Sequence, residues 1–170
     1  MIMRLPVDTY DAPVLRQTAH VIEDDLSGIQ DLVLDMLETV QAENGIGLAA
    51  PQVGRDLRII IINFAPIDPS FKAFALINPI ILSYEGKDVD VEGCLSLPGI
   101  EARVARAQKI RFSARKINGE YVEMEADGLL ARVIQHEVDH LNGILFVDRL
   151  PALRKFFIRR NIKKLQNTKQ

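Results

Sequence analysis

Residues 127–141 constrain the fold more tightly than any other stretch. They set His136-Glu137-Val138-Asp139-His140 among Leu129, Leu130, Val133, Ile134 and Leu141, so a helix here is apolar on most of its sides. Such a helix belongs inside a core. Burying two imidazoles and two carboxylates in it without partners would cost on the order of several kcal/mol, so the rest of the chain has to supply those partners. A metal ion meets the demand, because His136 and His140 lie one turn apart on one face and can reach a single cation. Glu137 is rotated off that line, where it misses the metal but can take a proton from water that the metal activates.

The third ligand distinguishes the classes of such sites. An HExxHxxGxxH extension would need histidine at 146; Gly143 is in place, but Phe146 is not a ligand. No glutamate follows Glu137, and Asp148 lies beyond the expected helix end at Gly143. The ligand is therefore expected upstream, at Cys94 in Glu92-Gly93-Cys94-Leu95-Ser96, where a glycine lets the backbone approach a site. One cysteine and two histidines leave a coordination position open, which describes a catalytic centre. The competing arrangement adds His20 as a fourth, structural ligand and leaves Glu137 without a task.

Composition fits this reading. The chain has 170 residues, enough for one buried core, and its net charge of -2 gives no reason to expect nucleic acid as the main partner. Cys94 is the single cysteine, so no internal disulfide is possible. The first twenty residues are interrupted by Arg4, Asp8, Asp11 and Arg16 and hold no leader-like apolar run. The longest aliphatic run, Ile59 to Ile62, is too short to cross a membrane. These features lead us to expect one catalytic domain, residues 1–170, in the cytosol.

Residues 27–43 carry apolar side chains at helical spacing; Ser27 with Gln30 reads as a capping box and Asn44-Gly45 as the stop. A glycine-punctuated loop spans 45–54. Residues 58–63 and 74–82 read as strands. Alternation over Ile110, Phe112 and Ala114 leads through Asn118-Gly119, a type I′ turn signal, into a partner strand. Asp127 is placed to cap the motif helix, and 151–165 reads as a basic C-terminal helix. Runs of strands and helices are segregated, which predicts an α+β fold with antiparallel sheets packed around a central HExxH-bearing helix.

Three segments resemble the peptide deformylase family: Gly45-Ile46-Gly47-Leu48-Ala49-Ala50-Pro51-Gln52, Glu92-Gly93-Cys94-Leu95-Ser96 and Gln135-His136-Glu137-Val138-Asp139-His140. They resemble its GxGxAAxQ, EGCLS and QHExDH motifs, in the family's order. The resemblance implies removal of formate from the N-formylmethionine of nascent chains, in the bacterial cytoplasm or in an organelle. It implies Cys94, His136 and His140 as metal ligands, Glu137 as acid and base, and Gln52 with the Leu95 N–H at the oxyanion. It also implies a methionine slot along Ile46, Leu129 and Val133, with the Gly47 backbone pairing to the peptide. The implied cofactor is one divalent ion, ferrous iron in the cell, and the ligand chemistry equally permits zinc, nickel or cobalt.

Two features stay open at this level. Glu101 and Arg103 either edge a peptide groove or face solvent, and solvent is the expectation. The tail from 149 to 170 holds eight Lys or Arg and no acid. Through Arg154, Lys155, Arg159, Arg160, Lys163 and Lys164 it could touch ribosomal RNA weakly, although a solvated helix face is the plainer reading. A zinc peptidase and a metal-stabilised binding module remain as alternatives.

Overall fold

The structure, a computed structural model, describes residues 2–23 and 25–167. Its three α-helices are α1 (Gln30–Ala42), α2 (Gly128–Leu141) and α3 (Ala152–Asn167). The strands are β1 (Gly47–Ala49), β2 (Ile59–Ile62), β3 (Phe74–Glu85), β4 (Asp88–Gly93), β5 (Glu101–Arg106), β6 (Lys109–Arg115) and β7 (Tyr121–Asp127). Five strands form one sheet in the order β1-β2-β3-β6-β7, and β4-β5 form a separate hairpin. Every pairing between these strands is antiparallel. The α+β expectation is met, with α2 packed on the larger sheet.

The four isoleucines of β2 explain how the layers stack. All are fully buried, and successive strand residues face opposite sides. Ile60 and Ile62 join Val133, Ile134, Val138 and Leu141 of α2 in one core. Ile59 and Ile61 join Val33, Met36 and Val40 of α1 in another. The sheet is covered on both faces, so its strand is a continuous apolar run and not an alternating one. A third core, with Leu97, Val104, Phe146 and Ile162, seats α3 against the β4–β5 hairpin.

Several local expectations change. Ser27 opens a 3-10 turn, and α1 starts at Gln30 with no side-chain cap; the Ser27 N–H instead bonds the Asp25 carboxylate at 2.9 Å. Asp127 precedes α2 but makes no side-chain capping bond. The Asn118-Gly119 loop is not type I′, which needs positive φ at both central residues. Only Gly119 has positive φ, at 87°. Its N–H bonds the Lys116 carbonyl at 2.9 Å and Lys116 N–H bonds Glu120 at 2.8 Å, a type I turn closed by a glycine bulge. In β3, Pro79 cannot donate to a ladder, and the register shifts between Ile77 and Ile80.

The basic tail is helical as expected. Lys155 and Arg159 lean back on Asp148 at 3.0 and 3.5 Å, so part of its charge is already paired. Lys163 and Lys164 lie outside the residues whose side chains are described. Among the described residues, no helix is long and apolar enough to cross a membrane.

Candidate functional site

Cys94 follows directly on β4, and His136 and His140 project from one face of α2. Their donor atoms lie within 4.8 Å of one another, with Cys94 Sγ 3.3 Å from His140 Nε2. This is the soft, mixed sulfur and nitrogen set that suits a first-row transition ion. His20 is far from it in function: it is exposed and paired to Asp56 at 2.8 Å. The fourth-ligand alternative is therefore not supported.

The three candidate ligands are held by a buried charge network that the sequence did not reveal. Glu92 accepts two bonds from Arg106 at 2.8 and 2.9 Å and one from Arg132 at 2.8 Å. It also lies 2.9 Å from His136 Nδ1, which turns the other ring nitrogen toward the cluster. Arg106 also bonds Asp139, the fourth residue of the motif, whose carboxylate takes a further bond from Arg149 Nε at 3.0 Å. Asp139 is thus the anchor of α2 and not a ligand. Gln135 clasps the Ala107 backbone at both its N–H and its carbonyl, at 3.0 and 2.9 Å.

Gln52 is buried and oriented. Its side-chain oxygen accepts the Ala49 N–H at 2.8 Å, leaving the amide nitrogen to reach Ser96 Oγ at 3.2 Å and Cys94 Sγ at 3.4 Å. The chain therefore aims an amide N–H at the ligand cluster. Glu137 crowds Gly47, where a Cβ would stand 2.3 Å from the Glu137 Oε1. Its other oxygen, Oε2, is buried without a hydrogen-bond partner among the described residues.

Burial disfavours charge throughout this cluster, and neighbours decide each outcome. For Glu137, burial outweighs the opposing His136 and raises the carboxyl to about 7. For His140, burial together with the charges of His136 and Arg106 drives the imidazole well below its ordinary value, which favours the neutral form that binding a cation requires. His136 goes the other way. Burial pushes it down, but hydrogen bonds to Cys94 and Glu92 and the Glu137 charge raise it well above. Surroundings that hold a proton there also favour a cation. The donor set fits a metal ion on chemical and electrostatic grounds.

Cys94 and His136 line one end of a cavity of about 800 Å³, with His140 set behind it. Ile46, Gly47, Leu95, Leu129 and Val133 line it, together with Gln52 and Glu137. All the residues implied for catalysis and for the methionine slot meet here. Leu129 is 42% exposed and Val133 4%, so the cavity wall is open at Leu129 and buried at Val133. Glu101 also lines this cavity, against the expectation that it faces only solvent. Arg103 does not line it.

Residues 4–156 match the family model described as polypeptide deformylase. The peptide deformylase of Acidobacterium capsulatum is 41% identical over 161 residues, covering 95% of each chain. Among solved structures, a peptide deformylase from Legionella pneumophila superposes with a TM-score of 0.88 at 35% identity, covering 98% of this chain and 97% of that one. The class I type b peptide deformylase from Acinetobacter baumannii, with Met-Ala-Ser bound, gives 0.82 at 36% identity over 88% and 100%.

Proposed function

The chain belongs to the polypeptide deformylase family, and from that premise we infer the reaction and how its residues divide the work. It hydrolyses the formyl amide at the N-terminal N-formylmethionine of nascent polypeptides and releases formate. When bound by Cys94, His136 and His140, a divalent cation supplies Lewis-acid polarisation and an acidified water. Ferrous iron is our assignment for that cation, with zinc, nickel or cobalt compatible with the same donors.

Glu137 takes the proton from water at its carboxylate and delivers it to the departing methionine nitrogen. A carboxyl raised to about 7 suits both transfers, because its two forms are close in energy near neutral pH. The Gln52 amide and the Leu95 N–H donate to the oxygen that becomes negative as the formyl carbon turns tetrahedral. Fixed donors help most there, since no reorganisation is needed as charge develops. Ile46, Leu129 and Val133 hold the methionine side chain, and the Gly47 backbone at the edge of β1 pairs with the peptide. Support comes from the shared cavity and from the bound Met-Ala-Ser of the Acinetobacter enzyme. Residues 1–170 act as one catalytic unit in this reading. The reaction is placed where nascent chains are made, the bacterial cytoplasm or an organelle, with any ribosome contact through α3 weak.

One observation carries the assignment: three ligand atoms within 4.8 Å of one another, with an unpartnered, buried Glu137 oxygen in the same cavity. Formate release from an N-formylmethionyl tripeptide by iron-loaded protein tests it. Glu137→Gln should lower turnover by roughly 10²- to 10⁴-fold with the metal content retained. Full activity in that variant, or cleavage of unblocked peptides in place of deformylation, would sink it.

A further inference from the structure

Helix α2 has a second working face. Gln135, Val138, Asp139 and Asn142 recur at i, i+3, i+4 and i+7, turned away from the face that carries His136 and His140. They line a separate cavity of about 430 Å³, which shares no residue with the cleft described above. The size suits a small molecule. Ile81, Ala107 and Val138 give it an apolar, buried to half-buried wall, and exposed Tyr84, Lys87 and Arg149 stand at its mouth. Gly86, with a φ of 68°, makes the tight turn between β3 and β4 that brings Tyr84 and Lys87 to the same side.

This cavity has more donors than acceptors. Its one carboxylate, Asp139, is already spent on Arg106, on Arg149 Nε at 3.0 Å and on Arg149 Nη2. Arg149 Nη1, the Lys87 ammonium and the Tyr84 hydroxyl meet no acceptor among the described residues. Asn142 commits its oxygen to Arg58 at 3.0 Å, and its amide N–H groups likewise go unanswered there. Tyr84 and Arg149 lie within electrostatic reach of each other, so these donors face a common space.

A helix C-terminus ordinarily repels an anion through its free carbonyls, but the carbonyls at the end of α2 are covered. That of Asp139 accepts the Asn142 and Ile144 N–H groups, each at 2.9 Å, and that of His140 accepts Gly143 at 3.2 Å. The Leu141 carbonyl takes Ala19 N–H at 2.9 Å and Arg58 at 3.2 Å.

We propose that this second cavity is a binding site for a small phosphate monoester, held by Lys87, Arg149, Tyr84 and Asn142 with its organic part against Ile81 and Val138. Two cationic donors and two neutral ones match the three acceptor oxygens and the charge of a phosphate better than the two oxygens of a carboxylate. Asp139 stays on Arg106 and Arg149, so the site does not borrow from the anchor of α2. The proposal is independent of the deformylase reading.

The test follows backbone amide shifts of zinc-loaded protein by NMR at low ionic strength, titrated with phenyl phosphate, inorganic phosphate or phenol. Phenyl phosphate should give saturable shifts across residues 84–87, 105–107 and 138–142. It should bind roughly tenfold more tightly than inorganic phosphate, through its buried ring, and phenol should not bind. Lys87→Gln and Tyr84→Phe should each weaken phenyl phosphate by roughly three- to fivefold, and Lys87→Glu should remove saturation altogether. Thermal melts check that the variants, all at exposed positions, remain folded. Absence of saturable shifts up to about 20 mM, shifts confined to the cleft that holds Cys94, equal affinity for the two phosphates, or unchanged affinity in Lys87→Glu would each overturn the proposal.

Discussion

Gly47 and Glu137 face each other across the site, and each limits what the other can be. A Cβ at position 47 would lie 2.3 Å from Glu137 Oε1 and 2.9 Å from Val133 Cγ1. Gly47 is paired with Ile62 in the sheet, and Ile62 is fully buried, so the strand resists moving. The carboxylate is the softer partner and is the one displaced in Gly47→Ala. A general base moved by about 1 Å can cost on the order of 10²-fold in rate. Overpacking at one Cβ costs only about 1–3 kcal/mol of stability. We expect Gly47→Ala to lower kcat by roughly 10- to 100-fold while remaining folded, as read by formate release and urea unfolding. A change confined to KM would show that Gly47 matters for peptide pairing and not for the placement of Glu137.

Arg106 joins two elements that share no strand pairing, the β4–β5 hairpin through Glu92 and α2 through Asp139. Burial would raise the Glu92 carboxyl, but Arg106 and His136 together hold it well below the usual carboxylate range. Such a group adds stability that is fully present above its unfolded pKa, about 4.3, and that is lost as pH falls through the depressed folded value. Arg106→Met leaves Glu92 and Asp139 buried with fewer partners and should cost roughly 3–5 kcal/mol at neutral pH. The depression of Glu92 shrinks in that variant, so thermal melts of the two proteins between pH 7 and pH 3 should converge. Equal stability at pH 7 would mean that the hairpin is held by its apolar core alone. These elements were unequally legible in the sequence. α1 and α2 each carry their own period, and Cys94 with His136 and His140 could be picked out by residue chemistry. β1 was read as loop because it is short, three residues, and its burial does not alternate. The β4–β5 hairpin was missed because Val89 and Val91 are exposed among acids. Arg106 finds Asp139 from 33 residues away, and no local pattern encodes that partnership. Glu101 is exposed as expected but also lines the cavity, and its place opposite Gly93 is set by a hairpin register that no local pattern encodes.

At the scale of the molecule, the candidate metal site bridges parts that are already held by apolar burial. Cys94 sits at the end of the hairpin, and the two histidines sit on a helix whose other side chains share a core with Ile60 and Ile62. α1 packs the opposite face of the same sheet, and neither core uses a ligand residue. Removing the ion should therefore lower stability without dissolving the fold, unlike a small domain organised by its metal. Binding to the native state alone adds about 4 kcal/mol at a thousandfold excess over Kd, which in a chain of this size corresponds to a Tm change of roughly 10 °C. We expect a strong chelator to lower Tm by about that amount while the far-ultraviolet circular dichroism stays native-like, and re-addition of ferrous iron to restore the Tm. Cys94→Ser should melt near the chelated value and respond little to either treatment, because a hydroxyl is a poor substitute for thiolate. Loss of secondary structure on chelation would instead mean that the ion organises the packing, and that the isoleucine-rich sheet cannot hold α2 in place without it.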